Sequence, residues 1–501
     1  MPARLALALA ILETLLWARR IRPLRQPSAT AAAASHPSPF DALPPRRAGA
    51  GRATPDHKVP FRIAAIRQRL FPPHWGALPA RTRVAAGAGA AIGGLSRLLG
   101  RGGGSVVGGR ATLAIDPHAL RHLALGHAVV LVSGTNGKTT TTSLLRAGLS
   151  TTGPVVTNLL GANLPAGVAA ALAAGPPGAP AALEVDEAWL KTVADDTAPE
   201  VVVLLNLSRD QLDRNNEVRR LSSAWRSALA DRPGTTVVAN ADDPLVVWGA
   251  AAAAEVVWVG AGQPWTADAS GCPKCGSRIA FDAAGWACSS CDLCRPALDV
   301  NIEDGQVVSI DGWSVSLDMA LPGRCNQANA ALALTAAVRL GADPGRAMGA
   351  MSSTEEVVGR YRTVDAGAVD ARLLLSKNPA GWLEVFDMLA PPPAPVVVAI
   401  NARIADGMDP SWLWDVPFEL LAGRQVVATG ERSADLAVRL HYAEIEHTRV
   451  PDLIVAIREA GHYAAGLEQQ GSGAHGRRRP TIDVVANYTP FQELRSRLGR
   501  R

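Results

Sequence analysis

The run "GTNGKTT", residues 134–140, holds the residue types that could bind a chain of phosphates. The general phosphate loop is G-x-x-x-x-G-K-[ST]. Gly137, Lys138 and Thr139 fit its end, but Val132 stands where the first glycine would fall, and the glycine comes two places later as Gly134. The chemistry survives the shortening. Backbone N–H groups of Gly134, Thr135, Asn136, Gly137, Lys138 and Thr139 can wrap an anion at a helix N-terminus, where the dipole favours negative charge. Lys138 would reach the outer phosphates of ATP, Thr139 would offer its hydroxyl to Mg²⁺, and Thr140 follows in the same turn. A glycine turn before a helix is the plainer alternative. Lysine usage weighs against it: of 50 basic residues only Lys58, Lys138, Lys191, Lys274 and Lys377 are lysine. In such a chain a retained lysine suggests that a compact ammonium is needed, because lysine and arginine are not interchangeable.

A second cluster suits a metal. Five of the six cysteines lie between Cys272 and Cys294, and the sixth is Cys325. Cysteines this concentrated in a long chain point to metal binding rather than a disulfide framework. "CPKC" and "CSSC" are two C-x-x-C pairs twelve residues apart. Cys272, Cys275, Cys288 and Cys291 therefore suit a closed, four-thiolate Zn²⁺ site of structural type. Cys294 could replace one of the last two, so that register stays open. Nucleic-acid binding through such a ribbon is the rival use, but nearby aromatic platforms are sparse: Phe281 and Trp286.

The elements that must position these groups alternate. "HAVVLVSG" reads as a buried parallel strand and "KTTTTSLLRAGL" as the helix after it. "AALEV", "EVVVLLNLS" and "TTVVANADDP" read as further buried strands, with helices such as "NEVRRLSSAWRSALAD" between them. The fold class expected is α/β: a mostly parallel sheet with helices on both faces. The cysteine segment, about 270–297, interrupts it as an insert. "NQANAALALTAAVRLG" returns to helix, and from 365 "ARLLLSK", "GWLEVFDMLA", "VVVAIN" and "QVVATG" restart the alternation as a smaller domain. The expected domains are 1–75, 76–364 and 365–501. Residues 1–75, rich in Ala, Pro and Arg, read as a poorly ordered extension. Its apolar run "LALALAILETLLWA" carries Glu13 and is short for a membrane span; a peripheral membrane anchor is the alternative. With 50 basic and 45 acidic residues the net charge is +5, too modest to mark a nucleic-acid partner.

The string G-T-N-G-K-T-T-T resembles the Mur ligase superfamily, ATP-dependent ligases that activate a carboxylate as an acyl phosphate for attack by an amine. The resemblance implies a central ATPase domain and a C-terminal domain that closes on it. It extends to further segments. "LEVDEA" places Glu184 where the family has a Mg²⁺-binding glutamate. "NLSRDQLDR" has Gln211 where most members have histidine. "NADDP" and "LPGRCNQANAALA" match segments that line the nucleotide, with Asn329 the expected ATP contact, and "GRYRTV" supplies Arg360 for phosphate.

Together with the ribbon, "SKNPAGW", "NARIADGMDPSWLWDVPFE" and "VVANYTPFQELRSRL" are similar to the MurT family, ligase subunits that amidate the D-glutamate of lipid II. That resemblance covers about 80–501. It implies ATP and Mg²⁺ as cofactors, a structural Zn²⁺, lipid II as substrate, work at the cytoplasmic face of the membrane, and the glutaminase GatD as partner and ammonia source. It also implies that Asp409 completes the partner's Cys–His pair. The chain has no G-x-C-x-G nucleophile elbow of its own. Ala402 and Met408 depart from the family pattern around Asp409, and Lys377 receives no step. Two other readings stay open: a stand-alone amino-acid-adding ligase, and a zinc-ribbon NTPase that binds nucleic acid.

Overall fold

The computed structural model describes residues 77–99, 104–158, 162–209, 218–355, 361–471 and 479–498. The 1–75 extension, Gln211 and Arg360 lie outside these. Contacts divide the chain into two compact units, Met1–Pro117 and His118–Arg501. The described part of the first is a helical hairpin, Ala80–Leu98 and Ser105–Ile115. Thr82 Oγ1 donates to Asp116 Oδ2 at 2.6 Å and Arg81 Nε to the Ile115 carbonyl at 2.7 Å, fastening one helix to the end of the other.

The second unit carries two sheets. Its first eleven strands are β1 Val129–Ser133, β2 Val156–Thr157, β3 Ala181–Glu184, β4 Val201–Leu204, β5 Thr236–Asn240, β6 Glu255–Val259, β7 Ile279–Asp282, β8 Gly285–Cys288, β9 Val300–Glu303, β10 Gln306–Ser309 and β11 Ser314–Ser316. Nine of them form one sheet in the order β11-β10-β9-β6-β5-β4-β1-β3-β2, while β7 and β8 pair apart as a hairpin. From β2 to β9 every neighbour is parallel; β9, β10 and β11 continue as an antiparallel edge. Strands covered on both faces read as unbroken apolar runs rather than alternating ones, and β1, β3 and β4 are buried at every position.

The helix Lys138–Leu149 after β1 packs on the helix Arg324–Arg339. The latter buries Ala330, Ala331, Ala333, Ala336 and Ala337, and these small side chains let the two axes approach closely. That approach brings Asn329 beside the phosphate loop.

The second sheet contains β12 Tyr361–Asp365, β13 Asp370–Leu375, β14 Val396–Ala399, β15 Val426–Thr429, β16 His447–Arg449 and β17 Thr481–Ala486, ordered β12-β13-β17-β14-β15-β16. Only β12 is antiparallel to its neighbour. One face packs Trp382 against Trp412 and Phe418, with ring centroids 6.1 and 5.6 Å away. The other buries Phe491, Leu494 and Ile457. Strands β1, β3, β4, β5, β13, β14 and β15 and the helices Lys138–Leu149, Val218–Ala230, Arg324–Arg339 and Pro379–Met388 match the sequence expectations. Strands β2, β6, β9–β12, β16 and β17 were not anticipated: β2, β11, β12 and β16 are edge strands and β9–β10 a hairpin with polar positions, whereas β6 (EVVWV) and β17 (TIDVVA) are interior strands whose apolar runs were passed over.

One ion pair fixes the helix Pro379–Met388, which borders the site. Arg372 on β13 meets both oxygens of Asp483 on β17, which is 3% exposed. Arg372 also donates to the Met388 carbonyl at 2.7 Å, and Asp483 accepts from Ala390 N at 2.8 Å. Removing one member strands the other in a low-dielectric interior. Asp483→Ala is expected to lower unfolding free energy by about 3–5 kcal/mol. Arg403→Ala, which breaks the exposed pair with Glu431, should leave the unfolding midpoint nearly unchanged, because solvent screens surface ion pairs. Denaturant titration of the two variants measures both.

Candidate active site

The site grows from strand order. β1 lies between β3 and β4, all parallel, so the chain leaves three adjacent strands at the same edge. Ligands of open α/β sheets bind at that carboxyl edge. After β1 comes the 134–137 loop; the last residue of β3 is Glu184; after β4 comes Asn206. The two loops are stitched together. Thr135 N donates to the Asn206 carbonyl at 2.9 Å, and Asn136 N to Asn206 Oδ1 at 2.9 Å. Asn206 Nδ2 returns a bond to the Asn136 carbonyl at 3.1 Å. Ser208 N donates to Thr135 Oγ1 at 3.0 Å. Gly134 (φ +146°) and Gly137 (φ +85°) occupy left-handed backbone. A Cβ on Gly137 would come within 2.5 Å of Asn329 Oδ1, and one on Gly134 within 2.8 Å of Leu205 Cβ. Glycine is required at both places.

Lys138 opens the helix and is buried. Its ammonium donates to Glu187 Oε2 at 2.9 Å, to the Thr135 carbonyl at 3.1 Å and to the Gly134 carbonyl. Thr139 Oγ1 donates to Glu184 Oε2 at 2.9 Å, and Asn163 Nδ2 reaches Glu184 Oε1 at 3.4 Å. Glu184 is 1% exposed and its backbone bonds Asn158 in both directions. A hydroxyl and a carboxylate side by side at a phosphate loop form the hard-oxygen donor set that Mg²⁺ takes. Asn329 accepts from Thr141 Oγ1 at 3.1 Å, holding its amide against the loop.

The second sheet contributes from the opposite side. Asn136 and Asn378 exchange amide bonds, Nδ2 to Oδ1, at 3.1 and 3.2 Å. Asn378 also caps the helix Pro379–Met388 by accepting from Gly381 N at 2.8 Å. Between them lies a cavity of about 140 Å³, bordered by Asn136, Gly137, Thr140, Ser208, Ser376 and Lys377 among others. The buried hydroxyls of Ser208 and Ser376 have no hydrogen-bond partner among the described residues. Lys377 Nζ sits 5.6 Å from the Tyr488 ring centroid.

A second cavity of about 500 Å³ adjoins it, bordered by Asn240, Asp242, Gly260–Gln263, Cys325, Asn329 and Glu384 among others. That volume lies in the ordinary range of ligand pockets, about 300–1,000 Å³. Glu384 and Cys325 border both cavities. Burial pushes the Glu384 carboxyl up to about 7 against the nearby Arg324 guanidinium. Burial, then the charges of Glu384 and Asp387, push the Cys325 thiol well above its usual range. In "NADDP", Asp243 caps the helix Pro244–Ala250 through Leu245 N and Val246 N and accepts from Leu207 N at 2.8 Å. Its complete burial outweighs those donors and raises its pKa to about 6.

The cysteine insert forms a separate constellation. The sulfurs of Cys272, Cys275, Cys288 and Cys291 lie within 4.8 Å of one another. Cys272–Cys291 and Cys275–Cys288 are separated by 3.7 and 3.5 Å. Zinc–sulfur bonds of ~2.3 Å at tetrahedral angles place sulfurs ~3.8 Å apart, so this donor set fits Zn²⁺. Cys294 is exposed and outside the group. The Ser277 backbone and hydroxyl lower Cys275 to about 6, whereas burial raises Cys272.

Asp409 borders neither cavity. It sits exposed in the loop after β14, its Oδ1 accepting from Ser411 N at 2.9 Å. Nearby Asp406 is buried and pins that loop by accepting from Thr489 N at 2.7 Å. Sequence reasoning missed Glu187, Asn206, Asn378 and Glu384 as site residues. All four stood in segments already singled out, "LEVDEA", "NLSRDQLDR", "SKNPAGW" and "GWLEVFDMLA", but which of them met the phosphate loop needed the strand order.

A family model described as Mur ligase middle domain matches residues 132–337, and one described as MurT ligase C-terminal matches 375–491. The MurT subunit of lipid II isoglutaminyl synthase (glutamine-hydrolyzing) from Streptococcus pneumoniae is 29% identical over 438 residues, covering 81% of this chain and 94% of that protein. The protein of the same description from Staphylococcus aureus strain N315 is 30% identical over 387 residues, covering 70% and 85%. Among solved structures, MurF from Acinetobacter baumannii has the same fold with a TM-score of 0.54 at 16% identity, over 77% of this chain and 79% of that one. Mycobacterium tuberculosis folylpolyglutamate synthase complexed with ADP gives 0.51 at 15% identity, over 76% and 92%. Two matched segments that carry the phosphate loop and the second sheet, and a relative similar across most of its length, lead to one conclusion: this chain belongs to the MurT family of Mur-type ligases.

Proposed function

We propose that this chain is the ligase subunit of a lipid II isoglutaminyl synthase. It is an ATP-dependent ligase that acts in amidation. In this reading ATP phosphorylates the α-carboxylate of the D-glutamyl residue of lipid II, and glutamine-derived ammonia displaces the phosphate to leave D-isoglutamine. The observation that carries the proposal is the buried Lys138 ammonium, seated among loop carbonyls and Glu187 at the carboxyl edge of the sheet.

Each residue then has a task. Thr135 N and Asn136 N are held by Asn206, so the loop keeps its shape while the backbone N–H groups of Gly137, Lys138 and Thr139 bind phosphate oxygens, and Gly134 and Gly137 let the main chain approach them. Lys138 moves from Glu187 to the outer phosphates and neutralises charge as it spreads over the transferred group. Thr139 and Glu184 hold Mg²⁺, which supplies charge neutralisation between phosphates. Thr140 and Asn329 border the nucleotide. Asn240, Asp242, Gly260–Gln263 and Arg324–Asn329 wall the nucleoside. Cys272, Cys275, Cys288 and Cys291 hold Zn²⁺ in a closed shell that leaves no position for water.

The ammonia source is a separate glutaminase subunit, GatD. Cys325 is a poor nucleophile, because its thiol is half-buried beside carboxylates and pushed well above its usual range. Asp409 is exposed, and Ile404, Met408 and Trp414 around it are exposed apolar side chains. Trp414 packs edge-on to exposed Tyr442 at 5.6 Å. An apolar rim about a carboxylate suits a protein partner whose imidazole Asp409 orients. The substrate is lipid-linked, which puts the work at the cytoplasmic membrane face; no helix of the described residues is long and apolar enough to cross a membrane.

Reconstitution with the glutaminase subunit, ATP, glutamine and lipid II, read by mass spectrometry of the peptide stem, tests the proposal. Amidation is expected only with both subunits; its absence from the complete mixture overturns the reading. Lys138→Ala should lower turnover by about 10²–10³-fold or more. Asp409→Asn should cut glutamine-dependent turnover by about 10⁴-fold, while ammonium chloride still supports amidation. Metal analysis of the purified chain should give one zinc per chain, lost in Cys272→Ser and retained in Cys294→Ser.

A further inference from the structure

We propose that the cysteine ribbon sets the wall of the nucleotide pocket, with Trp286 and Arg295 as positioning residues. The inference rests on the reading of the 500 Å³ cavity as the nucleoside site. Four-thiolate inserts are ordinarily self-contained crosslinks, yet this one is bonded into the pocket at two points. Trp286 lies on β8, two residues before Cys288, and its Nε1–H donates to the Ala241 carbonyl at 3.0 Å in a buried contact. Arg295 follows Cys294, and its Nε donates to Asp242 Oδ1 at 2.5 Å. The two are joined by backbone pairing, Arg295 N to the Trp286 carbonyl at 2.9 Å.

Ala241 and Asp242 belong to the loop after β5 that borders the cavity. The second oxygen of Asp242 accepts from Gly262 N at 2.7 Å, and Asn240 Nδ2 donates to the Gly262 carbonyl at 3.2 Å. Asp242 therefore bridges two pocket loops with one carboxylate, and Arg295 neutralises it from the ribbon side. Its side chain is 15% exposed and that of Arg295 is 27% exposed, so the charge is poorly solvated and depends on its partner. Behind the bridge, Cys272, Ile279, Trp286 and Leu293 of the insert pack with Val247 of the helix that follows the loop, and Trp258 of β6 lies against them.

The two positioning residues bracket the second pair of ligands. Trp286 precedes the second C-x-x-C pair and Arg295 follows it, so bound metal fixes the spacing between their contacts. A cluster of five buried side chains is too small to hold that spacing alone, which is why metal binding and local folding are coupled in such inserts. Metal occupancy thereby controls the register of the β5 and β6 loops, and through it nucleotide affinity, without any metal contact to the nucleotide.

The test is calorimetric titration of Mg·ADP into the zinc-loaded full chain, alongside zinc content and thermal midpoint. Arg295→Ala is expected to weaken ADP binding by about tenfold or more, the loss of one charge-assisted bond, with zinc still at one per chain. Trp286→Phe, which keeps an aromatic ring but removes the donor and part of the buried indole volume, should weaken it less, and Arg295→Lys should recover part of the loss. Steady-state assays with the partner should show the effect in KM for ATP rather than kcat. Chelating zinc from the wild type should weaken ADP binding to the same degree, and should add little in Arg295→Ala, since both act through one linkage. ADP affinity unchanged in zinc-replete Arg295→Ala and Trp286→Phe overturns the proposal, as does a chelation effect that simply adds to Arg295→Ala. No binding of ADP by the wild type overturns the nucleotide-pocket reading itself.

Discussion

The Lys138 ammonium is buried beneath a helix N-terminus, and the edge of the first sheet is arranged around keeping that charge neutralised. An unpaired ammonium in such a place would cost several kcal/mol, on the order of its residual desolvation penalty. Glu187 and two loop carbonyls supply the compensation. Because these partners come from the loop itself and from the end of β3, the loop cannot open without stranding the charge. A polyphosphate tail can replace Glu187 as the counter-ion, so binding exchanges one anion for another instead of creating a buried pair. That exchange keeps the lysine ready and aimed.

The same edge explains why two sheets are needed. The first sheet positions the phosphate loop, Glu184 and Asn206 because three parallel neighbours end there. The second reaches the loop through the Asn136–Asn378 amide pair, made by the residue that caps the helix Pro379–Met388. That helix is held from behind by Arg372 and Asp483. Asn378 is fully buried, so its three amide hydrogen bonds with Asn136 and Gly381 register the second sheet against the phosphate loop with little freedom. The buried hydroxyls of Ser208 and Ser376, lacking protein partners among the described residues, mark the space between the sheets as one meant to be filled by polar matter.

The ribbon follows a different economy. Strands β7 and β8 have only four residues each and are largely exposed outside Ile279 and Trp286. A two-stranded hairpin is marginal in water by itself. Thiolates converging at tetrahedral spacing replace the missing core, and the hairpin's one large buried side chain, Trp286, faces the loop that lines the pocket.

The local features were legible in the amino-acid order. The β1–loop–helix unit, the C-x-x-C pairs and the apolar strands β3, β4 and β5 each depend on neighbours within a few residues, so composition and period suffice to see them. Asn329 and Asp409 were reachable only through resemblance, since an asparagine on a helix or an aspartate in a loop carries no local signal. The partners that give these groups their chemistry were not legible. Glu187 lies 49 residues from Lys138, Asn378 242 residues from Asn136, and Arg295 53 residues from Asp242. Such pairs exist because β3, β1 and β4 are adjacent in space and the Ala-rich helix lets two layers close up. Sequence alone determined which residues could carry charge, metal and turn; tertiary structure decided which met, because strand order, unlike periodicity, is set by long-range burial.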